Sequence, residues 1–420
     1  MTSSPTVTLE TIRDARETIA GRVRLTPLWP SATLGDISGV PVWLKCEHMQ
    51  RTGSFKVRGA FNFVSKLPRD GVRGLVAASA GNHAQGVALA GEEAGLAVTV
   101  VMPVFAPLAK VTATEDLGAR VVLHGSSLEE ARSEALAIAA REGLVFVPPF
   151  DDDAIIAGQG TVGLELLEQA PDIAEVLVPA GGGGLLAGVA VAVKSLRPDI
   201  RVVGVQSAAM DGIRDSFRAH ELRTTPPART IADGVAVAGP SARTFALIER
   251  YVDDVVSCSD EQVARAVVLL IERSKMVVEG AGALGVAAIQ SGTYRPKGTT
   301  AVVVSGGNID INLLGSIVRR GLVDAGRYQH LTIEVSDTPG ELALVSRVIA
   351  ATGGNVLEVE HDREVPSMPV GVAVLDLLLE VNGPEHFEDI IQALRAEGLR
   401  GLPGSAARLA TEHARRRHAD

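Results

Sequence analysis

Short valine-rich runs set apart by segments of helical length constrain this chain more than any other feature. Leu75–Ala78, Val98–Met102, Arg120–His124, Glu175–Val178, Arg201–Val205 and Thr300–Val304 are apolar and flanked by Gly or Pro. Runs of this kind suit strands buried on both faces. His83–Gly95, Leu128–Arg141, Thr161–Glu168 and Glu261–Arg273 carry helical patterns between them. Strands spaced by helices predict βαβ units, hence an α/β fold whose sheets are mostly parallel and covered by helices. Ligands of such sheets bind where strands end and helices begin, so the chemistry is expected at those turns. The 44 glycines and 3% aromatic residues agree with many tight turns and closely packed small side chains.

At 420 residues the chain is too long for one ordinary core and suggests two or three domains. After about residue 326 the pattern changes. Leu331–Val335 alternates as a strand, Asp337-Thr338-Pro339-Gly340 turns into a helix over Glu341–Ala351, and Gly353-Gly354-Asn355 stops it. Strands at Val356–Glu360 and Val370–Glu380 and a helix at Glu385–Glu397 follow. This order is most of a ferredoxin-like βαββαβ unit, joined through Asp324-Ala325-Gly326.

A formal net charge of −10 argues against a nucleic-acid surface, and the basic run Arg415-Arg416-Arg417 reads as a solvated tail. Cys46 and Cys258 stand far apart and in no metal-ligand spacing, which predicts a reducing, cytoplasmic setting without a disulfide framework or zinc. The N-terminal segment carries Glu10, Arg13, Asp14 and Arg16 in a helical pattern and is not a signal peptide. The uncharged run Val176–Val193 approaches membrane-spanning length, but Pro179 and Gly181–Gly184 interrupt it. It reads as strand, loop, helix, and no membrane association is expected.

Four segments could carry chemistry. Gly181-Gly182-Gly183-Gly184-Leu185 lies between a strand and a helix, where bare backbone amides can converge on a phosphate. A tight turn is the alternative, and no Walker lysine follows. Ser79-Ala80-Gly81-Asn82-His83 and Ser305-Gly306-Gly307-Asn308 also follow strands. Read alone, Ser79 and Asn82 are explained as caps for the next helix. Lys56 lies between Phe55 and Val57, and burial would lower its pKa and favour Schiff-base chemistry, although a single lysine is ordinarily a solvated charge. Together, a phosphate cradle, an amine and two polar loops are the parts that a phosphorylated carbonyl cofactor requires.

Here the chain resembles threonine dehydratase (threonine ammonia-lyase) of the fold-type II pyridoxal-phosphate enzymes. The resemblance rests on Arg51–Ala60 (RTGSFKVRGA), Ser79–Gly86 (SAGNHAQG), Gly181–Leu185, Glu279-Gly280-Ala281-Gly282-Ala283 and Ser305–Asn308, in the family's order. It implies a tryptophan synthase β-like fold with two parallel-sheet subdomains over residues 1–325, the smaller one, roughly 62–150, inserted in the larger. Residues 328–402 resemble an ACT regulatory domain, leaving a tail over 403–420. Carried over by residue, Lys56 would attach pyridoxal 5'-phosphate, Asn82 would bond its phenolic oxygen, and Gly181, Gly182, Gly183, Gly184 and Leu185 would hold its phosphate. Ser305 would face the pyridine nitrogen. A serine does not hold that nitrogen protonated as an aspartate would, which suits β-elimination better than transamination. Ser79, Ala80, Gly81 and Asn82 would bind the substrate carboxylate at their helix start, and Gly340 and Asn355 an effector.

The activity implied is dehydration and deamination of L-threonine to 2-oxobutanoate and ammonia, with serine a secondary substrate, in isoleucine biosynthesis or threonine catabolism. A serine-preferring dehydratase, a serine racemase-like enzyme and a non-enzymatic amino-acid sensor are the alternatives. The implied partners are an amino-acid substrate, a branched-chain amino-acid effector and further copies of the chain, as a dimer or tetramer. Relatives that racemise carry an acid where this chain has Ala80, and the racemase-type cation site meets Gln206 and Gly212 where carboxylates are expected, so Asp211 cannot complete it and no metal is expected. Ala80→Ser should therefore release some D-amino acid from an L-substrate, measured by chiral chromatography. D-product from the unmodified protein would show that Ala80 is not what suppresses racemisation.

Overall fold

The computed structural model describes residues 7–68, 70–364 and 368–404. The rest of the expected tail, from residue 405 and including Arg415-Arg416-Arg417, lies outside the described residues. The chain divides into two compact units, Met1–Leu314 and Gly315–Asp420.

The strands in chain order are β1 (Leu28–Pro30), β2 (Val42–Lys45), β3 (Leu75–Ala78), β4 (Val98–Met102), β5 (Arg120–Leu123), β6 (Val145–Phe146), β7 (Glu175–Pro179), β8 (Arg201–Ser207), β9 (Asp254–Cys258), β10 (Thr300–Val303), β11 (Tyr328–Ser336), β12 (Asn355–Asp362), β13 (Val372–Glu380) and β14 (Arg400–Pro403). The first unit holds a six-stranded sheet, β1-β2-β10-β7-β8-β9, parallel except for the β1–β2 pair, and a four-stranded parallel sheet, β5-β4-β3-β6. Strands from both sides of the inserted segment thus share the large sheet. The valine-rich runs are divided between the two sheets: β3, β4 and β7 are buried along their whole length, whereas β5, at the edge of the small sheet, exposes Arg120 and Leu123, so the expected two-sided burial fails there.

The uncharged run resolves as β7, a glycine loop, and the helix Gly184–Leu196, whose first ten residues are all buried. Among the described residues no helix is long and apolar enough to cross a membrane. The helix expected over Thr161–Glu168 is the second half of a longer one, Asp153–Gln169, capped by Asp152, whose Oδ1 accepts from the amides of Ala154 and Ile155. Gly158 and Gly160 look like helix breakers in sequence. In the fold they are points of close approach: a Cβ on Gly158 would lie 2.6 Å from the Arg58 carbonyl oxygen, and one on Gly160 2.9 Å from that of Gly188. Tertiary packing here overrides local propensity.

A network of buried charges lies beneath the helix Lys56–Ser65. Arg58 is fully buried, and its guanidinium donates to both carboxylate oxygens of Glu47 at 2.8 Å and to Glu165 at 2.6 and 2.9 Å. Lys45 donates to Glu165 at 2.6 Å, to Gln169 and to the Thr26 carbonyl. Burial alone would raise the Glu47 carboxyl, but Arg58, Lys45 and Thr26 together hold it below the usual carboxylate range. Two cations face two carboxylates, so the cluster is neutral and its hydrogen bonds are shared.

The second unit pairs its strands in the order β12-β13-β11-β14, all antiparallel, with helices Glu341–Ala351 and Pro384–Ala396. β14 supplies the last strand of a βαββαβ ferredoxin-like topology. Alternate residues Leu331, Ile333 and Val335 and Ala373, Leu375, Leu377 and Leu379 form one core with Ile349, Ile390 and Leu394 of the helices.

Removing one member of the charge network leaves its partners buried and uncompensated. Arg58→Leu is expected to destabilise the first unit by about 3–5 kcal/mol, read as a lower urea midpoint. A midpoint within error of the parent would show that the network contributes no net stability.

Candidate active site

The lysine is placed by a short backbone pairing. Phe55 N–H donates to the Ser305 carbonyl at 3.1 Å, Gly307 N–H to the Gly53 carbonyl at 2.9 Å, and Ser54 bridges Gly306. The segment entering the helix is therefore locked to the loop at the end of β10, and buried Ser305 lies beside it. Lys56 is the first residue of that helix. Its half-buried ammonium donates to the Pro149 carbonyl at 2.9 Å and lies 5.3 Å from the Phe55 ring centroid. Burial lowers its pKa to about 8, against the attraction of Glu279.

From Pro149 the wall continues through Phe150 to the glycine loop. A Cβ on Gly182 would strike the Phe150 ring, and one on Gly184 would lie 3.0 Å from the Phe150 Cβ. Gly183 has φ +91°, which only glycine adopts readily. Thr244 Oγ1 donates to the Gly182 carbonyl at 2.9 Å, and Gly181 lies against Val235. The loop is thus walled by other segments and opens directly onto the N-terminus of the helix Gly184–Leu196, which begins one residue before Leu185. That helix start favours an anion.

The third wall is Asn82. The helix Asn82–Glu93 has Gly81 as its N-cap and no side-chain cap. The capping explanation of Ser79 and Asn82 therefore gives way. Ser79 Oγ accepts from Gly81 N–H at 3.2 Å, while the Asn82 amide donates to Glu279 Oε1 at 2.7 Å and accepts from Asn308 at 2.6 Å. Ala80 presents only a methyl and packs toward the small-sheet core. His83 Nε2 lies 2.9 Å from the Val147 carbonyl, and burial, with Lys56 nearby, lowers its pKa to about 3, so it is the neutral tautomer protonated at Nε2.

Glu279 lies within a motif, yet the sequence alone points to no role for it. In the fold it is buried, and burial, with Asp233 nearby, raises its pKa to about 7. A carboxylate just before a helix in sequence reads as a dipole partner; only the packing of Gly306 and Gly234 around it reveals its burial. Phe150, Asp233 and Thr244 carried no sequence signal.

Two other groups behave differently. Gln206 accepts from Arg214 N–H at 2.8 Å and donates to the Met210 carbonyl at 3.4 Å, while Asp211 pairs with Arg214. Gly340 (φ +109°) and Asn355 flank opposite ends of the helix Glu341–Ala351, about 16 Å along its axis. One chain does not bring these two expected effector residues together, because the helix between them is rigid.

The residues around Lys56 fit a phosphorylated carbonyl cofactor. The amine is half-buried with a lowered pKa, and the loop backbone is bare where side chains would collide with its walls. Thr52 Oγ1 and Ser54 Oγ, in the segment leading to Lys56, are buried without a hydrogen-bond partner. The fold, with this site at the strand ends of two parallel-sheet halves, defines a pyridoxal-phosphate dependent enzyme. The family profile of that description matches residues 19–306, and the chain belongs to this family. Among its relatives, the L-threonine ammonia-lyase of Thermotoga maritima is 45% identical over 393 residues, 93% of this chain and 98% of its own. The catabolic L-threonine dehydratase TdcB of Escherichia coli is 45% identical over 323 residues, 76% of this chain and 98% of its own. Of solved structures, the T.th. threonine deaminase superposes with a TM-score of 0.69 at 42% identity, covering 72% of this chain and 99% of its own. Maize serine racemase gives 0.71 at 33% identity, covering 76% and 98%.

Only a neutral amine attacks a carbonyl, and Lys56 loses its proton near pH 8, well below an exposed lysine. The rate at which cofactor-free protein takes up pyridoxal phosphate should therefore rise with pH and level off above about 8, followed by absorbance near the visible edge. Lys56→Ala should abolish the absorbance change, and an unaltered change would mean that Lys56 is not the attacking amine; a limb centred near 10 would mean that burial does not lower its pKa.

Proposed function

We propose that this enzyme dehydrates and deaminates L-threonine to 2-oxobutanoate and ammonia, with L-serine as a secondary substrate. The observation that carries the reading is the placement of Lys56, an amine held half-buried against the Pro149 carbonyl and within the field of Glu279. The extent of the likeness to threonine ammonia-lyases supports the choice of substrate. Lys56 would attach the cofactor, Asn82 would meet its phenolic oxygen, Gly181–Leu185 its phosphate and Ser305 its ring nitrogen. When bound, pyridoxal phosphate withdraws electrons from the substrate's Cα and makes its proton removable.

The chain's own groups do the rest. Lys56, as a neutral amine beside the bound substrate, would remove the Cα proton. It then carries that proton to the departing β-hydroxyl, which leaves as water. The amides at the start of the helix Asn82–Glu93 have no intrahelical acceptor and can hold the substrate carboxylate. The enamine released becomes an imine, and hydrolysis returns one water and frees ammonia, so the net change is loss of ammonia. Ala80 offers no proton to the Cα, which disfavours the racemase alternative.

The second unit is read as an ACT-like regulatory domain that binds isoleucine or valine. Its ferredoxin-like topology supports this, as does a threonine ammonia-lyase relative matched over 93% of the chain. Because Gly340 and Asn355 lie apart in one chain, a ligand touching both would need a second copy, in keeping with a homo-oligomer. Two buried thiols agree with a cytoplasmic protein.

The test is release of 2-oxo acid from threonine and serine by the full-length enzyme, with isoleucine or valine titrated in. Threonine should be preferred, and a branched-chain amino acid should change apparent substrate affinity about 5- to 150-fold. Serine preferred over threonine would overturn the substrate choice; no binding by calorimetry and an indifferent rate would overturn the regulatory reading.

A further inference from the structure

The helix Leu108–Glu115 follows β4 and belongs to the half of the first unit built on the small sheet. Asp233 opens the 3-10 turn Asp233–Val235, which belongs to the half built on the large sheet. Lys110 Nζ lies 2.7 Å from Asp233 Oδ2 and donates to it. The lysine side chain is only 16% exposed although its partner is 50% exposed, so its stem is covered and its charge directed. The next two residues of the turn reach the site itself. A Cβ on Gly234 would lie 3.4 Å from Glu279 Oε1, and Val235 packs against Gly181, the first residue of the glycine loop.

We propose that Lys110 is a positioning residue for this reaction: its ion pair with Asp233 fastens the small-sheet half to the large-sheet half beside the cofactor site and holds the turn that supports Glu279 and Gly181. The assignment rests on the proposed lyase reading for its substrate and on geometry for the rest. The charged groups facing Glu279 are Asp233, Lys110 and Lys56. Lys110 opposes Asp233 there, so losing Lys110 leaves the Asp233 charge uncompensated and pushes the Glu279 carboxyl further up. A purely structural contact would lack this electrical signature.

The experiment compares holoenzyme carrying Lys110→Met, Lys110→Arg, Asp233→Asn and the Met/Asn double change with the parent. Lys110→Met should raise KM for threonine about fivefold, the scale of a half-exposed ion pair, with a smaller change in kcat. Hydrogen exchange should quicken in Leu108–Glu115 and in the 233–235 turn. Any limb of the pH profile that disappears in Glu279→Gln should move to higher pH in Lys110→Met. Lys110→Arg should recover most of the loss, and the double change should be no worse than either single one. In the parent, added salt should raise KM toward the variant's value because the pair is screened. Unchanged KM and exchange in Lys110→Met, or multiplicative losses in the double change, would overturn the proposal. Absence of 2-oxobutanoate from the parent would instead overturn the lyase reading, and exchange would still report on the ion pair.

Discussion

The neutral cluster of Arg58, Glu47, Glu165 and Lys45 is the interaction on which the geometry of the site depends. Arg58 lies two residues after Lys56 in the first turn of the same helix, and its guanidinium is held at both ends by carboxylates from other segments. Glu47 follows β2, while Glu165 belongs to the helix Asp153–Gln169. The foot of the lysine's helix is thereby tied to two elements by forked, charge-assisted bonds that leave little freedom of rotation. Each charge is tolerated in the interior only because the others are there.

Close helix contacts transmit that order to the phosphate side. Gly158 meets the backbone at Arg58 and Gly59, and Gly188 meets the backbone at Ile156 and Gly160. The three helices Lys56–Ser65, Asp153–Gln169 and Gly184–Leu196 therefore approach with almost no side chain between them at these points. The amine sits at the start of the first and the glycine loop at the start of the third, so the distance between them is set by backbone contact. Side-chain packing would have left it more adjustable.

The electrostatics of the site run in one direction. Burial favours the neutral forms of Lys56, His83 and Glu279 alike; the attraction between Lys56 and Glu279 moderates it at those two, while the Lys56 charge adds to it at His83. A neutral amine is a base and a nucleophile, whereas the same lysine on the surface would be neither at neutral pH. Asn82, bonded to both Glu279 and Asn308, links the small-sheet half to the two loops that close the site.

The sequence by itself determined the architecture and the chemistry-bearing loops. Valine-rich runs between helical segments can hardly form anything but parallel strands under helices, and Gly181–Leu185, Ser79–His83 and Ser305–Asn308 had to fall at strand ends. Lys56 was legible because its neighbours are apolar and its motif is specific. What only the tertiary structure decided involves residues far apart in the chain. The burial of Glu279, the Lys45–Glu165 and Lys110–Asp233 pairs, and the wall that Phe150 makes against Gly182 join residues separated by tens to more than a hundred positions. No local pattern encodes such pairs, because a lone charge reads as solvated until the fold supplies its partner. Gly158 and Gly160 show the same limit: a glycine that looks like a helix breaker becomes a packing contact once another backbone is found to lie against it.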